Sequence, residues 1–176
     1  MGLRIEDYAM IGDLHTAALV SRAGSIDWLC LPRFDSPACF ASLLGNEEHG
    51  RWLIRPAGEV REIRRRYRPG TLILETDFET DEGAVTLVDC MPPRRDHPAL
   101  VRLVIGRRGR VALKMQLVLR FDYGSIVPWV RRIGKEMHAI AGPDMVCLRT
   151  PADVRGEGLT SVADFDVTEG QVVPFT

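Results

Sequence analysis

A period of two dominates the distribution of apolar side chains along this chain. From Val111 to Asp122 every odd position is apolar (Val111, Leu113, Met115, Leu117, Leu119, Phe121), while Lys114, Gln116, Arg120 and Asp122 fall on even ones. A strand puts the first set on one face, whereas a helix would spread it around its circumference. Thr71–Thr80 behaves similarly, with Leu72, Leu74 and Phe78 set against Glu75, Asp77 and Glu79. Asp81-Glu82-Gly83 then offers turn chemistry, with Gly83 free to take positive φ, and Ala84–Cys90 completes a predicted hairpin. A second hairpin is predicted from Leu100–Ile105 to Val111–Phe121 through Gly106-Arg107-Arg108-Gly109.

Shorter strands are expected at Ala17–Ser21, Ile26–Leu31, Arg51–Ile54, Val60–Tyr67, Ile126–Arg132, Glu136–Ala141, Met145–Arg149 and Ser161–Thr168. Strands this short and frequent, separated by Gly and Pro, predict an all-β fold, an antiparallel β-sandwich. One short helix is expected: Ser36 as cap, Pro37 at its first position, Ala38–Leu44 as its body and Gly45 at its end. Gln171–Thr176 reads as a strand that begins and is cut off, so residues 1–176 are expected to form one N-terminal domain of a longer polypeptide.

Composition supports a folded domain. The 176 residues are 45 % hydrophobic and 27 % charged, which is ordinary for a globular chain. A formal net charge of −1 gives no electrostatic reason for a nucleic acid or membrane partner. The segment Met1–Tyr8 carries Arg4, Glu6 and Asp7 with no apolar run behind them, and Glu6 stands where a myristoylation signal on Gly2 requires Ser or Thr. A cytoplasmic location is the expectation. Cys30, Cys39, Cys90 and Cys147 are scattered without a C-x-x-C pair, which reads as buried reduced thiols.

Catalytic chemistry is hard to find. Ser25 and Ser125 sit in Gly-Ser turns without a nucleophile elbow, and His15 lies near Asp13 only in sequence. His15, His49, His97 and His138 are far apart along the chain, and Asp164 and Asp166 read as a solvated strand face, so no metal and no cofactor are expected. Gly106–Gly109 lacks the frame of a phosphate loop. The basic stretch Arg61–Arg68 offers a phosphate or sugar-acid contact on one reading. On the favoured reading it is an edge strand whose arginines block edge-to-edge pairing or bridge to a second domain.

The run from Ile5 to Ile54 carries a resemblance. Ile5-Glu6-Asp7-Tyr8-Ala9-Met10-Ile11-Gly12-Asp13 is followed by Thr16–Val20, then by Gly24-Ser25-Ile26-Asp27-Trp28-Leu29-Cys30-Leu31-Pro32-Arg33-Phe34-Asp35-Ser36-Pro37, then by Phe40–Gly45. It resembles the opening of bacterial and archaeal family 15 glycoside hydrolases, the glucoamylase and trehalase-like group. The resemblance implies a supersandwich-like N-terminal domain packed on a C-terminal barrel of paired helices. In that barrel two glutamates hydrolyse α-glucosidic bonds with inversion. Neither glutamate has a counterpart here, and no aromatic-flanked pair of carboxylates stands out, so no catalytic residue is carried over.

What carries over is the loop Asp27–Ser36, whose Trp28, Arg33, Phe34 and Asp35 are candidates for the substrate pocket or the domain interface. The favoured reading is a structural corner, with Arg33 and Asp35 fixing a turn and the aromatics filling the core; the other is a tongue docking near the sugar pocket. The implied partners are the barrel and, through it, an α-glucoside. An alternative is a carbohydrate-binding module presenting Trp52, Trp129 or Tyr123 to α-glucans, although the apolar neighbours of Trp52 and Trp129 favour burial.

Overall fold

A computed structural model describes residues 4–176; Met1–Leu3, and with them the Gly2 position considered above, lie outside the described residues. The chain is all-β. In order, the strands are β1 (Tyr8–Gly12), β2 (Ala17–Ser21), β3 (Ser25–Cys30), β4 (Ala38–Phe40), β5 (Arg51–Pro56), β6 (Glu62–Tyr67), β7 (Leu74–Glu79) and β8 (Gly83–Cys90). They continue with β9 (Val101–Val118), β10 (Trp129–Ile133), β11 (Glu136–Ala141), β12 (Asp144–Arg149), β13 (Arg155–Glu157), β14 (Thr160–Thr168) and β15 (Val172–Phe175). Every pairing recorded is antiparallel.

Two curved sheets share β9. Its C-terminal half lies between β5 and β14 in a sheet that continues through β3, β2 and β1. Its N-terminal half lies between β8 and β15 in a sheet that continues through β7 to β6. A separate three-stranded sheet runs β10-β11-β12. The β7–β8 hairpin is as expected, but Gly83 does not adopt positive φ. A side chain there would run into the Arg108 carbonyl of β9, so close approach explains the glycine.

The second expected hairpin is absent: one 18-residue strand runs straight through Gly106–Gly109. Val85 pairs with Gly106 and Ala84 with Arg108, so Arg107 is an extra residue in β9, a bulge. The bulge shifts the phase of the alternation. Arg102, Val104 and Gly106 face the core before it, and Val111, Leu113, Met115 and Leu117 after it. The two glycines that read as a turn are there for contact. A Cβ on Gly106 would strike the Thr168 carbonyl, and one on Gly109 the Glu82 carbonyl. The turn between β14 and β15 rests on this bend, with the Gly106 N–H donating to Gln171 O at 2.9 Å and the Gly170 N–H to Gly106 O at 3.0 Å.

The expected helix over Ala38–Leu44 is also corrected. Ala38–Phe40 is a strand on β3, and only Ser42–Leu44 forms a 3-10 turn, closed by the Gly45 N–H on Ser42 O. A segment this short is a marginal helix by itself. As a strand all three residues of β4 are buried. The C-terminal residues are anchored as β15, and Phe175 is fully buried.

The basic segment is an edge strand, as favoured: β6 ends its sheet, and Arg64 pairs with Glu62, Arg66 with Glu75 and Asp77, and Arg68 with Glu75. The same strand ties the two sheets together, because the Tyr67 hydroxyl accepts the Met10 N–H at 2.9 Å and donates to Met10 O at 2.8 Å.

One charge lies in the centre. Arg102, 0 % exposed, leaves β9 opposite Asp89 of β8 and donates to its carboxylate at 2.7 and 3.3 Å. It also donates to Trp52 O of β5 at 2.6 Å and to Gly24 O, in the β2–β3 turn, at 2.8 Å, and so reaches the other sheet. Its guanidinium lies 5.3 Å from the centroid of the Trp52 ring. Removing one partner strands the other charge without water, so Asp89→Ala is expected to destabilise the protein by about 3–5 kcal/mol in urea unfolding. A loss below about 1 kcal/mol, the scale of an exposed pair, would show that Arg102 is not acting as a buried charge.

Candidate functional site

The end of the sandwich where β3 finishes collects the loops that carry the candidate residues. β1 turns into β2 through Asp13–Thr16, β3 into β4 through Leu31–Pro37, β4 into β5 through Ala41–Gly50, and β9 continues into Leu119–Pro128. The Phe34 N–H donates to His15 O at 3.0 Å, and the Arg120 N–H to Cys39 O at 3.3 Å, so neighbouring loops hold one another. The surface they form is apolar. In these loops Leu14 is 89 % exposed and Phe34 63 %, and Leu44, Tyr123, Ile126 and Val127 are also exposed; near Val127, Trp129 at the start of β10 is 70 % exposed, and Leu159 in the β13–β14 turn is exposed too. Exposed apolar side chains gathered at one end make it a candidate interaction surface. Leu14, Asp122 and Tyr123 hold φ between 51° and 72°, a strained conformation for residues with a Cβ, and all three lie in these loops.

The four candidates divide in two. Trp28 on β3 is half-buried, packs on Cys30, Ala38 and Ala41, and meets the ring of Tyr123 at 6.1 Å between centroids. Arg33, Phe34 and Asp35 occupy the exposed tip of a tongue that follows the cis Leu31–Pro32 peptide. The tip is a turn: the Ser36 N–H donates to Arg33 O, and the Arg33 N–H to Ser36 Oγ, each at 3.1 Å. Arg33 Nε reaches Asp35 Oδ1 at 2.9 Å, which holds the Asp35 carboxyl below its ordinary pKa. Arg33 and Asp35 pair with each other across this turn. The expectation that the aromatics fill the core fails for Phe34, because the turn projects the ring into solvent. Among the module residues, Trp52 is buried at 4 % exposure, whereas Trp129, expected to be buried, is open and stacks under Arg131 at 5.9 Å. Tyr123 is exposed.

The base of this end rests on Asp13. Its Oδ1 accepts the N–H groups of His15 at 3.0 Å and Thr16 at 2.9 Å, and its Oδ2 receives Arg94 Nε at 2.9 Å. His15 therefore meets Asp13 through its backbone and not through its imidazole. Burial pushes the Asp13 carboxyl up, but the two amides and Arg94 outweigh it and hold the pKa below the ordinary value. The stability this contributes is present above the unfolded carboxylate pKa, about 3.9, and is lost as pH falls through the lower folded value. Asp13→Asn is expected to cost about 1.5–3 kcal/mol at neutral pH, the scale of a charged hydrogen bond. The gap to the native protein should narrow below about pH 4. Denaturant unfolding across pH measures it, and a gap independent of pH would refute the role.

One group of donors escaped the sequence reading. Glu136 and His138 of β11 and Cys147 of β12 bring a carboxylate, an imidazole and a thiol together. The separations are 3.0 Å from His138 Nε2 to Glu136 Oε2, 3.4 Å from Cys147 Sγ to the same oxygen and 3.7 Å from Cys147 Sγ to His138 Nε2. His138, isolated along the chain, is not isolated in space. Two predicted strands joined about Gly142-Pro143 place it opposite Cys147, which is the signal that was available. All four cysteines are free thiols, with Cys30 and Cys39 buried and Cys90 and Cys147 half-buried.

Comparison with known proteins places the sequence in a family. A family model described as "Trehalase-like, N-terminal" matches residues 2–173. A trehalase of Mycobacterium tuberculosis is 41 % identical over 87 residues, covering 49 % of this chain and 13 % of the relative. Trehalase 1 of Sulfolobus acidocaldarius is 32 % identical over 152 residues, covering 86 % of this chain and 26 % of the relative. A trehalase of Thermoplasma volcanium is 29 % identical over 135 residues, 73 % of this chain and 22 % of its own length. The chain thus spans between 13 % and 26 % of these relatives. With the match running over nearly its whole length, the chain belongs to the trehalase-like N-terminal domain family.

Proposed function

We propose that this chain is the non-catalytic N-terminal domain of an inverting α-glucoside hydrolase of family 15, and that its loop-bearing end docks on a C-terminal helical barrel and helps shape access to the sugar pocket. The observation that carries the reading is the exposed apolar end, where Phe34 and Trp129 stand in solvent although a well-built core lies just beneath. A solitary domain gains nothing by exposing such rings, whereas a partner that covers them recovers their burial. The relatives are several times longer than this chain, which supports the rest of such a polypeptide as the partner. Their printed name, trehalase, makes trehalose the first substrate to test, with glucoamylase-type glucans second. Among the described residues no helix is long and apolar enough to cross a membrane. Four free thiols fit the reducing cytoplasm.

Within that reading Phe34 and Trp129 are docking side chains, and the Arg33–Asp35 pair preorders the tongue. Phe34→Asp with Trp129→Asp is expected to leave the stability of the 176-residue chain within about 0.5 kcal/mol of native, as for exposed positions. In the longer polypeptide the same pair should lower Tm and kcat/KM, and Arg33→Ala should do so more weakly. Equal Tm and kcat/KM in the longer polypeptide would refute docking at this end. The chain alone is expected to show no turnover of trehalose or maltose, and measurable turnover would overturn the non-catalytic assignment.

A second reading has one observation in its favour: Trp129 and Tyr123 are exposed aromatics, as a sugar-stacking platform requires. Calorimetric titration with maltooligosaccharides separates the two. Heat that Trp129→Ala abolishes would assign a carbohydrate-binding module, and docking predicts none.

A further inference from the structure

We propose that Glu136, His138 and Cys147 form a binding site for a single divalent ion of the zinc class on the outer face of the β10-β11-β12 sheet. The site follows from strand geometry. His138 and Cys147 are direct cross-strand partners, so their side chains leave the same face side by side. Glu136 lies two residues before His138 and shares that face. Gly142, at φ 61°, opens the two-residue turn that sets this register. The opposite face carries Ala139 and Leu148 into the core, so the sheet that presents the three donors is itself anchored.

The donor spacing fits a tetrahedral ion. With zinc about 2.0 Å from nitrogen and oxygen and about 2.3 Å from sulfur, ligand atoms at tetrahedral angles stand about 3.3–3.6 Å apart. The three separations run from 3.0 to 3.7 Å, so an ion seats with small side-chain adjustments. Mixed nitrogen, sulfur and oxygen donors select a borderline-soft ion of this class over magnesium or calcium, which take oxygen alone. The carboxylate is also oriented from behind. Arg149, paired opposite Glu136, donates its Nε to Oε1 at 2.5 Å and leaves Oε2 turned toward His138 and Cys147. On binding, the Cys147 thiol releases its proton to solvent and ligates as thiolate, which with the Glu136 carboxylate balances the charge of the dication. Three protein ligands leave the fourth position to water on the outer face. This inference does not depend on where the domain docks.

Cobalt(II) in place of zinc makes the site visible. Titration of the purified protein with Co(II) is expected to give, at a single equivalent, intense tetrahedral d–d bands and a thiolate-to-cobalt charge-transfer band, both removed by Zn(II). Cys147→Ser should abolish the charge-transfer band, and His138→Ala should weaken binding by more than the roughly 10–100-fold that outer-shell changes cause. Cys90→Ser, a control at the other half-buried thiol, should leave the spectrum unchanged. Zn(II) should also protect Cys147 of the native protein from alkylation, a measurement that needs no variant. Absence of the charge-transfer band in the native protein, its survival in Cys147→Ser, or alkylation of Cys147 indifferent to zinc would each overturn the proposal and leave a hydrogen-bonded trio.

Discussion

The packing of the two sheets depends on one ion pair held without water. Arg102 leaves one sheet, is neutralised by Asp89 on the neighbouring strand, and also donates to the Trp52 carbonyl of β5 and the Gly24 carbonyl of the β2–β3 turn, both belonging to the other sheet's side of the core. Burying a guanidinium is tolerable only when its charge is balanced and its N–H groups are met. Those conditions hold only with both sheets in their native positions. Apolar packing resists sliding by shape, and the ion pair adds a directional constraint, because a small shift would leave a charge or a carbonyl unpaired in the interior.

The shared strand makes that arrangement possible. β9 belongs to both sheets, and the Arg107 bulge between its halves turns the core-facing side chains from even to odd positions. Without the extra residue, either Arg102 and Val104 or Val111 and Leu113 would point outward. The glycines on either side of the bulge let the neighbouring strands and the β14–β15 turn approach the bend closely. From this frame the chain returns repeatedly to the same end, where the tongue, the Asp13 loop and the Tyr123 turn meet. Rigid strands and a buried carboxylate hold loops whose apolar tips remain uncovered, an arrangement suited to presenting a surface to a larger partner.

The candidate surface was only partly legible. The tongue stood out because it lies in the ordered run Ile5–Ile54, rich in Trp, Pro and Gly, and the pairing of Arg33 with Asp35 follows from two residues in one turn. The exposure of Phe34 and Trp129 did not, because an apolar side chain reads as core in any one-dimensional pattern. Only the path of the backbone decides whether a ring is covered. The Glu136, His138 and Cys147 group needed a register: at strand spacing alone His138 and Cys147 are nine residues apart, and pairing about Gly142-Pro143 brings them side by side.

Alternation alone determined that this chain forms strands, because a period of two fits no other regular backbone, and the short Gly- and Pro-bearing connections made their pairing antiparallel. It located most of them, the β7–β8 hairpin and the charged edge strand among them. Tertiary structure decided what alternation leaves open. A glycine pair serves a turn or a bulge equally well until a neighbouring carbonyl is seen to occupy the space of the missing Cβ. Ala38–Phe40 became a strand because both of its faces are covered. Asp89 and Arg102 became the centre of the molecule although each looks like a surface residue in sequence. In each case the deciding term is a contact between segments distant along the chain, a term that a local pattern does not contain.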